Sequence, residues 1–179
     1  RGTVALTWDE SGALSLGGDG EAVDWLVKMR RLPRERMLDN AIGTDAVDMA
    51  DIRRVGSLLA GFYQRAEPID CTADAFINRF RRDIEANQRE LTQAGFPLSR
   101  PRVENLCREQ LAFLDCHGDL LGQRAAERRI VEAHGDLRPE HICLLPEPVV
   151  IDCLEFNRQF RLLDPADELC FLALECERL

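Results

Sequence analysis

At 179 residues, 45% hydrophobic and 31% charged, the chain has the composition of an ordinary globular domain with enough apolar content for a core. A formal net charge of −9 argues against a general nucleic-acid binder, which needs a basic face to release counterions from phosphates, and leans toward a cationic partner or simple solubility. No apolar run approaches the roughly 20 residues of a membrane span, and no signal-peptide pattern opens the chain, so no membrane partner is expected and the cytoplasm is the default address.

The first thirty residues read as three short strands, Thr3 to Trp8, Ala13 to Leu16 and Ala22 to Met29, separated by Asp9-Glu10-Ser11-Gly12 and Gly17-Gly18-Asp19-Gly20 turns. They predict an antiparallel meander. From Pro33 to about Arg129 the pattern is helical. Asp45 or Asp48 can cap a helix with Val55, Leu58, Leu59 and Phe62 on one face, and Thr72 can cap another with Phe76, Phe80 and Ile84. Gly95, Pro97 and Pro101 interrupt, and a long helix then runs from about Val103 with a break toward Arg129. Beyond it, Ile142 to Leu145 and Val149 to Ile151 read as a hairpin turning at Pro146-Glu147, and Pro165 opens a final apolar helix. The expected class is α+β. Both ends read as cut from something longer. The seven cysteines form no CxxC pair and are odd in number, which predicts buried reduced thiols rather than disulfides or zinc ligands.

The tripeptide His-Gly-Asp occurs twice. At His117-Gly118-Asp119 it lies inside a helical pattern, with no strand pair and no second aspartate at a useful distance, and reads as chance. At His134-Gly135-Asp136-Leu137-Arg138-Pro139-Glu140-His141 it is followed by the hairpin and then by Asp152, sixteen residues after Asp136. This second segment resembles the H-G-D-L-x-x-x-N catalytic loop and following metal-binding aspartate of the aminoglycoside phosphotransferases, relatives of the protein kinases. Ile151-Asp152-Cys153-Leu154-Glu155-Phe156-Asn157 is similar to the I-D-C-I-E-F-N branch of that family.

The resemblance implies a protein-kinase-like fold and transfer of the γ-phosphoryl group of ATP or GTP, with Mg²⁺, to a hydroxyl of a small molecule, an aminoglycoside being one candidate. Asp136 would orient that hydroxyl and accept its proton, Asp152 would ligate the metal, and Arg138 would offset charge on the phosphoryl group. His134 would brace the loop. His141 replaces the family's metal-binding asparagine, either as a metal ligand in a rearranged site or as a group behind the metal. Glu155 is either a further metal contact or a loop-bracing carboxylate. Asp164 and Asp167 match a stretch that supports the loop.

Lys28 is the only lysine. Reading Gly17 to Gly20 as a phosphate loop, Lys28 as the phosphate lysine and Glu35 as its partner leaves the N-lobe incomplete, because only helices follow. The better fit makes residues 1–32 the end of an N-lobe and the hinge, with backbone groups near Val27 and Met29 meeting the adenine edge. Residues 33–179 then form a helical C-lobe containing the catalytic loop at 134–141 and the metal-binding hairpin at 142–152. On that reading the isolated segment is expected to be inactive. The rival readings are a degenerate kinase-like module that binds nucleotide or a partner protein without turnover, and a helical interaction domain whose motif is accidental.

Overall fold

The computed structural model describes residues 2–93 and 95–179 and is of mixed α+β class. Its N-terminal sheet consists of β1 (Gly2–Trp8), β2 (Leu14–Leu16) and β3 (Glu21–Lys28), antiparallel in the order β2-β1-β3. The strands fall where the pattern puts them, but the arrangement is not a sequential meander. β2 offers only three residues, whereas the seven of β1 give the eight of β3 a full-length partner, from Gly2 opposite Lys28 to Trp8 opposite Glu21. Gly17, at φ +68°, makes the turn that carries the chain past β2, and its N–H donates to the Ala5 carbonyl. β3 is therefore an edge, with alternate backbone N–H and C=O groups directed outward.

Four helices fill the middle: α1 (Leu38–Gly43), α2 (Met49–Arg65), α3 (Ala73–Leu91) and α4 (Arg100–Ala126). α1 is too short to carry a periodic signal and was not expected from the sequence. Asp48, not Asp45, caps α2: its carboxylate accepts from the Asp51 N–H, and Asp51 returns the bond in a capping box. Thr72 caps α3 through the Ala75 N–H. α4 breaks at His117, whose backbone leaves the helical region at φ −132°.

The break sits in the first His-Gly-Asp. A Cβ on Gly118 would stand in ordinary contact, 3.5 Å from Ile77, whereas one on Gly122 would stand 3.2 Å from the Ala73 Cβ. It is Gly122 whose lack of a side chain lets α3 and α4 approach closely. Phe76, Ala125 and Ile130 close the core beneath them, with Phe80 edge-on to Phe76 at 5.1 Å between ring centroids.

The second core surrounds the second His-Gly-Asp. Leu137, Ile142 and Leu144 are buried against Leu38 and Ala41 of α1 and Val55 and Leu59 of α2. Each of the leucine, isoleucine and valine side chains contributes about 1.5–3 kcal/mol on burial. A hairpin of β5 (Ile142–Cys143) and β6 (Val149–Val150) follows the loop. The segment ahead of α1 is fastened to it: the Leu144 N–H donates to the Arg36 carbonyl at 2.7 Å, and the Arg36 Nε donates to the Leu144 carbonyl at 2.7 Å. A short pair that the sequence did not signal, β4 (Val131–Glu132) with β7 (Leu162–Leu163), ties the entry of the loop to the start of α5 (Pro165–Glu177).

Asp164 caps α5 by accepting from the Ala166 N–H and forms a two-point ion pair with Arg124 at 2.6 and 2.7 Å. Burial opposes its charge, yet the hydrogen bonds from Arg124 and Ala166 outweigh that cost and hold the carboxyl below its ordinary 3.8. With the native value depressed, this contribution is complete above the unfolded pKa and is lost as pH falls through the native one. Arg124→Met is expected to cost about 1 kcal/mol near neutrality, kept small by the partly exposed guanidinium. Urea unfolding at stepwise lower pH should show wild type and variant converging below about pH 4.

All seven cysteines are free. Only Cys107 and Cys143 are buried; Cys71 and Cys176 are half-buried, and Cys116, Cys153 and Cys170 are exposed. The expectation of buried thiols fails for these three because apolar neighbours in sequence fall on different faces of a helix or loop. Among the described residues no helix is long and apolar enough to cross a membrane.

Candidate functional site

The loop from Ala133 to Ile142 is built from backbone anchors at both ends. The Ala133 N–H donates to the Arg161 carbonyl, the Leu154 N–H to the His134 carbonyl and the Ile151 N–H to the His141 carbonyl. Between these anchors Gly135 adopts φ +85°, a conformation that glycine alone enters without cost.

Two histidines then fix the two aspartates. His134 Nε2 donates to the Ile151 carbonyl at 2.8 Å, so its Nδ1 is the acceptor, and the Asp136 N–H points to it at 3.4 Å. One imidazole thereby holds the backbone of Asp136 and the residue preceding Asp152. His141 Nδ1 donates to the Asp136 carbonyl at 2.7 Å, and its Nε2 lies 3.5 Å from the Asp152 Oδ2. The His141 ring is nearly buried, with 13% of its side chain exposed, and stands between the two carboxylates.

Among the described residues no side chain donates a hydrogen bond to the Asp136 carboxylate, although His141 Nδ1 lies 3.9 Å from its Oδ2; the residue lines a cavity of about 500 Å³ with Arg79, Asn87, Asp167, Phe160 and Phe171 among others. Asp152 is 77% exposed and sits at φ +64°, a left-handed conformation that aspartate tolerates better than most residues. Burial raises the carboxyl of Asp167 above its ordinary value, partly offset by Arg79.

Arg138 turns its guanidinium to Glu140 at 2.9 Å and to Glu175 of α5 at 3.0 Å. Glu155 lines a second, mainly apolar cavity of about 750 Å³ that also takes in Leu58, Phe62, Val149 and Cys153 and reaches His134 and Glu168 of the loop. Val27 is in the β1–β3 ladder opposite Thr3, Met29 lies just beyond β3, and both side chains are exposed.

The sequence reading missed Glu168. Only 3% exposed, it accepts three hydrogen bonds: from the Tyr63 hydroxyl at 2.6 Å, the Gly135 N–H at 2.6 Å and the His134 N–H at 3.2 Å. Burial, reinforced by the bond to Glu168, pushes the Tyr63 phenol far above its ordinary value. Nothing in the sequence singles it out from Glu175 and Glu177 of the same helix.

Geometry separates the two His-Gly-Asp copies in a measurable way. A Cβ on Gly135 would lie 2.9 Å from the Arg161 Cγ and 3.2 Å from the Phe160 carbonyl oxygen, at a φ unfavourable to any L side chain. Gly135→Ala is expected to destabilise by about 1–3 kcal/mol. Gly118→Ala meets only ordinary contact with Ile77 in a helix, and is expected to be neutral or to stabilise by up to about 1 kcal/mol. Urea denaturation of the two variants checks the opposite signs.

No family model and no solved structure matches the chain. It is similar to uncharacterized proteins of Mycobacterium tuberculosis and Mycobacterium bovis, 28% identical over 169 residues. The match covers 91% of this chain and 33% of each relative, so the chain spans about a third of the length of the curated relatives it matches.

Proposed function

We propose that the chain is the catalytic part of an ATP- or GTP-dependent phosphotransferase, with a kinase-like C-lobe, that phosphorylates a hydroxyl of a small molecule. The observation that carries this reading is the clamp of His134 and His141 on the two aspartates, which leaves one carboxylate at a cavity and the other 3.5 Å from the His141 Nε2. Two separated acids, one for the acceptor and one for a metal–phosphate complex, are what phosphoryl transfer requires.

In this reading Asp136 orients the acceptor hydroxyl within its cavity and takes the proton as the oxygen bonds to phosphorus. Edge backbone groups near Val27 and Met29 meet the nucleotide base. The donor set suits a divalent cation such as Mg²⁺, with Asp152 supplying a hard oxygen and phosphates and water the rest, and His141 adjoining. Such a cation would neutralise charge on the phosphates. The acidic balance of −9 favours a cationic acceptor, and aminoglycosides are the first class to try.

The test is to supply the full-length protein with Mg²⁺, ATP or GTP and a panel of hydroxylated amines and sugars. The readout is formation of nucleoside diphosphate together with phosphorylated acceptor. The second reading, a kinase-like module without turnover, draws support from Arg138, whose guanidinium is engaged by Glu140 and Glu175. Nucleotide binding with no transfer to any acceptor would favour it.

A further inference from the structure

We infer that the cavity between the segment leaving β3 and the turn of the β5–β6 hairpin binds a small phosphate-bearing polyanion, held by Arg30, Arg31 and Arg34. The inference is independent of the phosphotransferase reading, in which none of these residues has a part. The cavity measures about 540 Å³; the three arginines and Glu35 line it, with Leu32, Pro33 and Leu145 as its apolar part. Arg30, Arg31 and Arg34 are exposed, and among the described residues none of them has a carboxylate within ion-pair distance. Elsewhere in this acidic chain arginines such as Arg36, Arg124, Arg138 and Arg178 do find acids.

Three guanidiniums lining one concave surface repel one another, and the single carboxylate there, Glu35, pairs with none of them. An anion seated in the cavity removes that repulsion, and a recess lined by one sign of charge concentrates the field on it. A guanidinium presents its N–H groups as a planar fork that matches two phosphate oxygens, in charge-assisted bonds about twice as strong as neutral ones. One carboxylate cannot engage three such forks, whereas a bisphosphate or polyphosphate offers oxygens to all of them. The volume falls within the roughly 300–1,000 Å³ of small-molecule sites. A long polyanion is disfavoured by charge, since β3 itself carries Glu21 and Asp24 and the whole chain stands at −9. The frame is set before binding. Pro33 holds φ at −70°, Arg34 opens a 3₁₀ turn, and the bonds between Arg36 and Leu144 fasten that turn to the hairpin beside Leu145.

The experiment titrates inorganic pyrophosphate into the full-length protein, without Mg²⁺ and at fixed ionic strength, by isothermal calorimetry and by thermal melting. The expected result is saturable binding that raises the melting temperature and weakens as salt is added. Arg31→Gln/Arg34→Gln should weaken it by about tenfold or more, whereas Arg53→Gln/Arg65→Gln, which removes the same charge from α2, should change it by less than about twofold. All four side chains are exposed, so folding is not at stake, and melting curves without ligand verify it. In competition, the stronger of ATP and glucose 1,6-bisphosphate then tells whether the natural source is a nucleotide or a sugar phosphate. The inference is overturned by an absence of saturable binding, by equal losses in the two double variants, or by binding that Asp152→Asn abolishes and the arginine changes leave intact. None of these results touches the phosphotransferase reading, which is decided by transfer to an acceptor.

Discussion

Asp136→Asn is expected to lower phosphate transfer by about 10²- to 10⁴-fold, the usual contribution of a positioned general base, while leaving the thermal transition nearly unchanged. The separation of these effects follows from how the residue is held. Both hydrogen bonds that locate Asp136 use its backbone, the N–H to His134 and the carbonyl to His141, and neither depends on the carboxylate. The side chain is 40% exposed and accepts no hydrogen bond, so an isosteric amide disturbs no packing. Surface changes of that kind usually stay within about 0.5 kcal/mol. Turnover with an identified acceptor, measured beside a melting curve, checks both halves. Undiminished transfer by the variant would remove Asp136 from the role of base.

Glu168→Ala is expected to be the most damaging single change to the fold of the site, at about 3–5 kcal/mol. It strips from three groups at once the only acceptor they have among the described residues: the Tyr63 hydroxyl, the His134 N–H and the Gly135 N–H. Two of these donors are backbone groups in the turn before Asp136, so the loss reaches the His134–His141 loop as well as the core. Glu168→Gln keeps one acceptor oxygen but turns an amide N–H toward another donor, and is expected to fall between wild type and alanine. Urea denaturation ranks the three. Tyr63→Phe should cost less than either, because both backbone bonds to the carboxylate survive it.

Much of this architecture is legible residue by residue. The Thr72 cap, the three N-terminal strands and the hairpin after the loop follow from neighbours a few positions apart, where capping and periodicity act, whereas the choice of Asp48 over Asp45 and the site of the break in α4 do not. The candidate site is legible in the same measure: His134, Asp136, His141 and Asp152 come together as their spacing suggests. The strand order was not legible, because nothing in the Gly17 to Gly20 turn says whether β3 will choose the three residues of β2 or the seven of β1. The pairing of Val131 with Leu163 and the descent of Glu168 onto Gly135 join positions about thirty residues apart, with no local mark on either partner.

By itself, then, the sequence determined the α+β class, the start of α3 after Thr72 and which of the two His-Gly-Asp copies has a hairpin and a second aspartate behind it. Those are properties of short segments, set by backbone preference and side-chain periodicity. Only the tertiary structure decided that Arg138 turns to Glu140 and Glu175, that Glu168 braces the loop and that His141 presents Nε2 to Asp152. A side chain's partner depends on which distant elements pack beside it, and a ring's tautomer depends on which carbonyl its other nitrogen finds.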